Sequence, residues 1–107
     1  MVTDDGETEI DLERVIIRGE TETRRIWING REITPARSQA VFNHSPDGFN
    51  WGYGGSGPAQ LALAILLEFN DNQTAIAHYQ QFKWEYVAIW PTGKDFEICM
   101  ALETVKI

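Results

Sequence analysis

A glycine-rich segment that runs directly into an apolar stretch constrains this chain more than any other feature. Four of the six residues at 52–57 are glycine, and Pro58 follows them. Proline is favoured at the first position of a helix, and Gly57 is a suitable N-cap before it. We therefore predict a helix over Pro58–Phe69, with Gln60 at its third position able to reach back to the cap. Because apolar residues occupy nearly every side of this helix, we expect it to be buried at the centre of the domain.

The residues before this segment indicate short antiparallel strands. The β-branched run at 14–18 predicts a first strand, and residues 24–28 predict a second. Asn29-Gly30 is a strong hairpin signal, because both central residues of a type I′ turn need a positive φ. The return strand, Arg31–Thr34, ends before a proline. The N-terminal third is therefore predicted to be a three-stranded meander.

Two further strands, a second helix and a last strand complete the prediction. Ser38–Asn43 and Phe49–Tyr53 are strand candidates on either side of a Ser-Pro-Asp-Gly turn, and would form a second hairpin. Apolar residues at helical spacing predict a second helix from Gln73 to about Val87, and a strand follows at Phe96–Met100. The fold class is α+β: one domain over residues 13–107, with a small antiparallel sheet packed on the central apolar helix and the second helix.

Acidic residues are concentrated at the start of the chain. Six acids and no base lie in the first 13 residues, whereas all six arginines lie between Arg14 and Arg37. We predict that residues 1–12 form an acidic flexible leader, as such segments are usually solvated. The alternative is that the leader meets a basic surface on a partner protein. The chain as a whole has a formal net charge of −7.

Composition excludes several classes of function. No apolar run approaches the roughly 18 residues that cross a bilayer, and no signal peptide precedes the domain, so we expect a cytoplasmic protein without a membrane partner. The single cysteine, Cys99, and the absence of clustered Cys and His predict no metal site and no cofactor. An acidic chain without a basic helix is not expected to bind nucleic acid directly. The many aromatic residues leave a homo-oligomer open, although no heptad indicates one.

The segment 52–57 matches G-x-G-x-x-G between a predicted strand and a predicted helix. It is not a dinucleotide fingerprint, because the flanking strands are predicted to be antiparallel and no acid lies about 20 residues further on. It is not a phosphate-binding P-loop, because no Lys-Ser/Thr pair follows. A nucleophile elbow centred on Ser56 would need glycine at position 58, which is Pro58.

The physical properties of such a segment nevertheless suit an anion. Consecutive backbone N–H groups ahead of a helix N-terminus form an anion-binding concavity, and glycine permits close approach of a ligand. Aromatic side chains beside it are candidates to stack on a base, and arginines of the first half are candidates to pair with phosphates. The candidate ligand-binding residues are Trp51, Tyr53, Gly54, Gly55, Ser56, Gly57, His44, Arg24 and Arg31. The competing interpretation is that four glycines only permit a tight turn from strand to helix.

A catalytic interpretation rests on His44 and Ser56, with Asp47 near them in the sequence. Catalytic triads are recognised by geometry and not by proximity in sequence, so this signal is weak. The simpler interpretation is that His44 and Asp47 satisfy amides of the turn. We therefore assign no catalytic residue.

The segment His44–Leu66 reads HSPDGFNWGYGGSGPAQLALAIL. It resembles the hallmark segment of an uncharacterised family of small proteins found in bacteria, archaea and especially phages and prophages. Phe82-Lys83 resembles the Phe-Lys stretch that follows in that family, and a looser similarity extends over the hairpin at Asn29-Gly30. The family has no assigned activity, so no residue role is carried over. The resemblance implies a small phage-type cytosolic protein, a class that often acts in host takeover or counter-defence.

Three functions follow as hypotheses. The leading one is a non-enzymatic binding module that holds a nucleotide-like or other anionic ligand at residues 52–57, which in a phage would sequester a host signalling nucleotide. The second is an acidic protein that binds and inhibits a host nuclease or similar protein, with strongly salt-dependent association. The third is a small hydrolase that uses His44 and Ser56.

Overall fold

The computed structural model describes residues 13–107, and their fold is α+β, as the sequence predicts. One sheet contains four strands, in the order β3-β2-β1-β4, and every neighbouring pair is antiparallel. The strands are β1 (Arg14–Gly19), β2 (Ile26–Ile28), β3 (Arg31–Ile33) and β4 (Phe96–Ala101). The predicted meander and the predicted last strand are thus both confirmed. The predicted acidic leader at residues 1–12 lies outside the described residues.

The hairpin between β2 and β3 turns at Asn29 and Gly30. Their φ angles are 50° and 82°, the pair of positive values that a type I′ turn requires. Asn29 also ties the turn to β1, because its N–H donates to the carbonyl of Ile16 and its Oδ1 accepts from the N–H of Ile16. A local turn signal and a non-local pair of hydrogen bonds therefore agree on the same register.

Four helices and one short 3-10 turn accompany the sheet in the described residues. They are α1 (Ala36–Val41), α2 (Ser56–Leu67), α3 (Asn72–Glu85), the 3-10 turn Val87–Ile89 and α4 (Leu102–Val105). Eleven of the twelve residues of α2 are buried, which confirms the predicted central helix. Alternate residues of β1, among them Val15 and Ile17, share one hydrophobic core with α2. None of these helices is long and apolar enough to cross a membrane.

The predicted second hairpin is wrong. Residues 38–41 of the strand candidate Ser38–Asn43, together with the two residues before it, form α1, because Pro35 starts the helix and its carbonyl accepts from the Gln39 N–H. The other candidate, Phe49–Tyr53, contains no strand. Its alternating aromatic residues are a loop whose rings at 49 and 51 insert into the core. The sheet gains its fourth strand from β4 instead, which pairs with β1 over six residues.

Two helix boundaries also differ from the prediction. Helix α2 begins at Ser56 with Gly55 as N-cap, two residues earlier than predicted, so the last glycine lies inside the first turn. Helix α3 begins at Asn72, close to the predicted start, and is capped by Asp71, whose side chain accepts from the Thr74 N–H. It ends at Glu85 instead of about Val87 because the backbone leaves the helical region at Tyr86, where φ is −127°.

Candidate functional site

The glycine-rich loop, residues 52–57, is held from behind by the segment that follows α3. The N–H of Gly52 donates to the carbonyl of Val87 over 3.0 Å, and the indole N–H of Trp51 donates to the carbonyl of Pro91 over 2.9 Å. Gly52 has a φ of +86°, and a Cβ there would overlap the Thr92 side chain. The start of the loop is therefore anchored by non-local contacts.

The remaining glycines of the loop are places of close packing. A Cβ on Gly54 would overlap the Trp84 ring, and a Cβ on Gly55 would overlap the Tyr53 ring. A Cβ on Gly57 would lie 3.2 Å from the backbone nitrogen of Asn50, inside the range in which a neighbour must move. Glycine at these positions leaves room for the rings and backbone that lie against the loop. This packing is a structural reason for the glycines, and it agrees with the interpretation that they permit a tight turn from strand to helix.

The outer side of the loop forms an open cleft of about 410 Å³. Its lining residues are Ser45, Asp47, Gly48, Phe49, Asn50, Tyr53, Gly55, Ser56 and Gly57. The N–H groups of Ser56 and Gly57 have no acceptor among residues 13–107, as expected for the first turn of a helix. No side chain of residues 13–107 caps this helix end, and its partial positive charge faces the cleft. The carboxylate of Asp47 is the one negative group in the lining.

The buried side chain of Gln60 binds the backbone at one edge of the cleft. Its Oε1 accepts from the N–H groups of His44 and Ser45, at 2.7 and 2.9 Å. Its Nε2 donates to Ser38 Oγ at 2.9 Å and to the Phe42 carbonyl at 3.1 Å. The predicted return of Gln60 to the helix cap is therefore wrong, because its side chain crosses to the α1 side and joins two segments. The sequence signal for this role is a polar residue within the apolar run of the helix.

The ring of His44 contacts Tyr79 and Phe42 and makes no hydrogen bond to Ser56 within the described residues. Its Nε2 shares a short hydrogen bond with the Tyr79 hydroxyl, and its ring stacks on Phe42 with centroids 4.1 Å apart. Burial, and after it the charge of Lys83, lowers the pKa of His44 from its ordinary value. These effects favour the neutral form of the ring, which is held by Tyr79. This geometry does not form the His44–Ser56 pair that the hydrolase hypothesis needs.

The turn before the loop is closed by its own backbone. The Gly48 N–H donates to the Ser45 carbonyl over 3.1 Å. The side chain of Asp47 makes no hydrogen bond within the described part of the chain, and the ring of His44 bonds Tyr79. The expected capping of turn amides by these two side chains is thus absent from residues 13–107, and Gln60 supplies that acceptor instead.

Lys83 of α3 contacts the inner side of the loop and was missed by the sequence reasoning. The residue is only 6% exposed, and its Nζ donates to the Gly54 carbonyl over 3.1 Å. The ammonium lies 4.3 Å from the centre of the Trp84 ring. In the sequence, the Phe82-Lys83 pair is marked only by its resemblance to the family's Phe-Lys stretch. Its burial depends on how α3 packs against the loop, which no local pattern encodes.

The aromatic surface of the site differs from the predicted one. Trp51 is 1% exposed and Phe49 is buried, so neither ring can stack on a ligand in this conformation. Tyr53 is 49% exposed and lines the cleft, which leaves it available for stacking. Trp84, which is 61% exposed and lies against Gly54, is a second exposed ring that the sequence reasoning did not include.

The two candidate arginines do not line the cleft. The Arg24 guanidinium lies 5.5 Å from the centre of the Trp51 ring and donates to the Thr21 carbonyl over 2.9 Å. Arg31 pairs with Glu68, which follows the C-terminal end of α2. A twelve-residue helix is about 18 Å long, so Arg31 lies near the end of α2 opposite the loop. The structure therefore brings Tyr53, Gly54, Gly55, Ser56 and Gly57 together, and leaves Arg31 apart.

Comparison with known proteins places the chain in a family without assigning an activity. The model of a family of unknown function, DUF6166, matches residues 17–104. No curated protein and no solved structure matches the chain. Within residues 13–107, no group of three or more His, Cys, Asp or Glu side chains could hold a metal ion.

Proposed function

We propose, from the premise that this chain belongs to the family of unknown function DUF6166, that it is a non-enzymatic binding module for a nucleotide-like anionic ligand. The ligand's anionic group would lie in the cleft at the N-terminus of α2. The observation that carries the proposal is the pair of unbonded N–H groups, on Ser56 and Gly57, at an uncapped helix end that opens into a cleft. Such helix ends bind phosphate and carboxylate groups.

The dimensions and the lining of the cleft support a small ligand with an aromatic part. A volume of about 410 Å³ lies within the range of roughly 300–1,000 Å³ that is usual for small-molecule sites. Tyr53 presents a half-exposed ring at the edge of the cleft, suited to stacking on a base. The exposed carboxylate of Asp47 suits hydroxyl donors on the same ligand. These features favour a ligand with one anionic end over a polyanion.

The arrangement around His44 supports binding without catalysis. A general base must reach the proton that it removes, and the Nε2 of His44 is occupied by the Tyr79 hydroxyl. No hydrogen bond joins Ser56 to His44 among the described residues. The hydrolase alternative loses its main geometric support.

The experiment that tests this proposal replaces Gly55, the N-cap. In the Gly55→Asp variant, the new carboxylate can accept a hydrogen bond from a free N–H group of the first turn, and it then occupies the place of an anionic ligand. Asp is also a favoured N-cap residue. The φ of Gly55 is −94°, which any residue adopts, and the Tyr53 ring that must move is half exposed. We expect the variant to fold and to lose ligand. The measurement is mass spectrometry of small molecules released by denaturing the purified protein, with titration of AMP by calorimetry.

The matched control is Gly55→Ala, which adds the same Cβ without a charge or an acceptor. We expect it to keep most of the affinity of the wild type. A folded Gly55→Asp protein with full affinity would contradict the proposal. If no small molecule is released and AMP does not bind, the result contradicts the binding module and favours a protein inhibitor.

A second candidate is an acidic inhibitor of a host protein, and its specific observation is the charge of residues 1–13, where six acids lie without a base. Deleting residues 1–12 would then abolish pull-down of the target, and added salt would weaken association strongly. A deletion variant with unchanged pull-down would contradict this candidate. In either case, the resemblance to phage and prophage proteins suggests the finer proposal of counter-defence, by sequestering a nucleotide signal or by blocking a defence protein.

A further inference from the structure

Lys83 brings a positive charge to the glycine-rich loop without a negative partner in the described structure. The residue is 6% exposed, yet none of the ion pairs among residues 13–107 includes it. Its one hydrogen bond there goes to a neutral group, the Gly54 carbonyl. Burial of an ammonium group costs free energy unless hydrogen bonds and opposite charge compensate it. The described contacts of Lys83 therefore offset only part of the free-energy cost of burying its ammonium group.

The surroundings of Lys83 do not neutralise it. The face of the Trp84 ring, 4.3 Å from Nζ, is weakly negative and compensates part of the charge. His44 supplies no negative charge, and burial and then the charge of Lys83 lower its pKa. An ammonium group has three donors, and within the described residues one of them is used. A net positive charge thus remains at Gly54, one residue before the N-cap of α2.

We propose that Lys83 supplies the counter-charge for the anionic group bound at the glycine-rich loop, so that the site selects phosphate-bearing nucleotides over uncharged nucleosides. This inference rests on the proposed function and adds the origin of its selectivity. The free N–H groups of Ser56 and Gly57 orient the anionic group by hydrogen bonds from the cleft side. Lys83 attracts the same group electrostatically from the α3 side. Electrostatic attraction across a partly desolvated loop is weakly screened.

The first test uses ligand-free protein and the Lys83→Met variant. Methionine keeps the apolar volume of the buried stem and removes the charge. If Lys83 is kept for a ligand, its removal relieves an uncompensated charge, and the urea midpoint of unfolding stays equal or rises. If Lys83 only clamps the loop through Gly54, the midpoint falls clearly, which overturns the proposal. The control is Lys94→Met, which removes a charge from an exposed lysine.

The second test compares AMP with adenosine on the same proteins by calorimetric titration. We expect Lys83→Met to weaken AMP binding severalfold, because the charge of Lys83 attracts the anionic group across the loop without contacting it. Adenosine binding should be unchanged, Lys94→Met should behave as wild type, and Lys83→Arg should keep most of the AMP affinity. The dependence of AMP affinity on salt concentration should also be shallower in Lys83→Met.

The outcomes separate this inference from the proposed function. Equal AMP affinity in wild type and Lys83→Met overturns the inference and leaves the binding module intact. If the wild type does not bind AMP but orthophosphate raises its melting temperature, and this rise is lost in Lys83→Met, the counter-charge is supported and the nucleotide is excluded. If the wild type responds to neither AMP nor orthophosphate, both are overturned.

Discussion

The turn at Asn29-Gly30 and the glycine-rich loop at 52–57 both depend on glycine, but for different physical reasons. At Gly30 the φ angle is +82°, and nothing lies within 4 Å of the place where a Cβ would be. At Gly54 and Gly57 the φ angles are not positive, and the space of a Cβ is already filled by Trp84 or by Asn50. The hairpin needs glycine for its backbone conformation, whereas these loop positions need it because there is no room.

Gly52 combines the two reasons. Its φ is +86°, and the missing Cβ would overlap Thr92 and approach the Trp90 carbonyl to 3.0 Å. Local conformation is a property of a few neighbouring residues, while lack of room is a property of segments that are distant in the sequence. The comparison therefore predicts that substitutions at the loop respond to changes in distant partners, and that substitution at the hairpin does not.

The largest effect is expected for Gly52→Ala. Strain at positive φ and overlap with Thr92 should together destabilise the fold by about 3 kcal/mol or more. Urea unfolding followed by tryptophan fluorescence measures this change. In the double variant with Thr92→Ala, the overlap is relieved but the strain and the Trp90 contact remain, so recovery should be partial. Full recovery would show that conformation contributes nothing at Gly52.

An intermediate effect is expected for Gly54→Ala. The methyl group must displace the Trp84 ring, which is largely exposed and can move, so the cost should be about 1–2 kcal/mol. In a Trp84→Ala background the same substitution should cost almost nothing. The measurement is a double-mutant cycle of unfolding free energies, with a coupling of about 1–2 kcal/mol. Additive effects would mean that the loop glycine is conformational, like Gly30, and the comparison would fail.

The smallest effect is expected for Gly30→Ala. Open space surrounds the position, so only the left-handed backbone conformation opposes the methyl group, at about 1 kcal/mol. Gly30→Asn should cost less than Gly30→Ala, because asparagine tolerates this conformation. The unfolding midpoints of the two variants provide the check. An asparagine variant as unstable as the alanine variant would indicate a steric cause.

Several elements could be predicted because their signals are local. Asn29-Gly30 specifies its own turn, and the run around α2 is apolar on every side, so burial follows wherever the helix packs. The predictions that are wrong concern residues whose structure depends on distant segments. Phe49, Trp51 and Tyr53 alternate as in a strand, yet two of these rings are anchors of a loop in the core. Periodicity alone does not say whether a neighbouring strand is present to pair.

The candidate site divides in the same way. The sequence by itself determined that glycines precede a buried helix, and every helix N-terminus leaves its first N–H groups unbonded. The structure moved the start of the helix from Pro58 to Ser56, and so assigned those free N–H groups to Ser56 and Gly57. Only the tertiary structure decided that Trp51 is buried, that Arg31 lies at the other end of α2, and that Lys83 reaches Gly54. Burial and partner choice depend on which distant segments pack together, and they are therefore decided by the folded core.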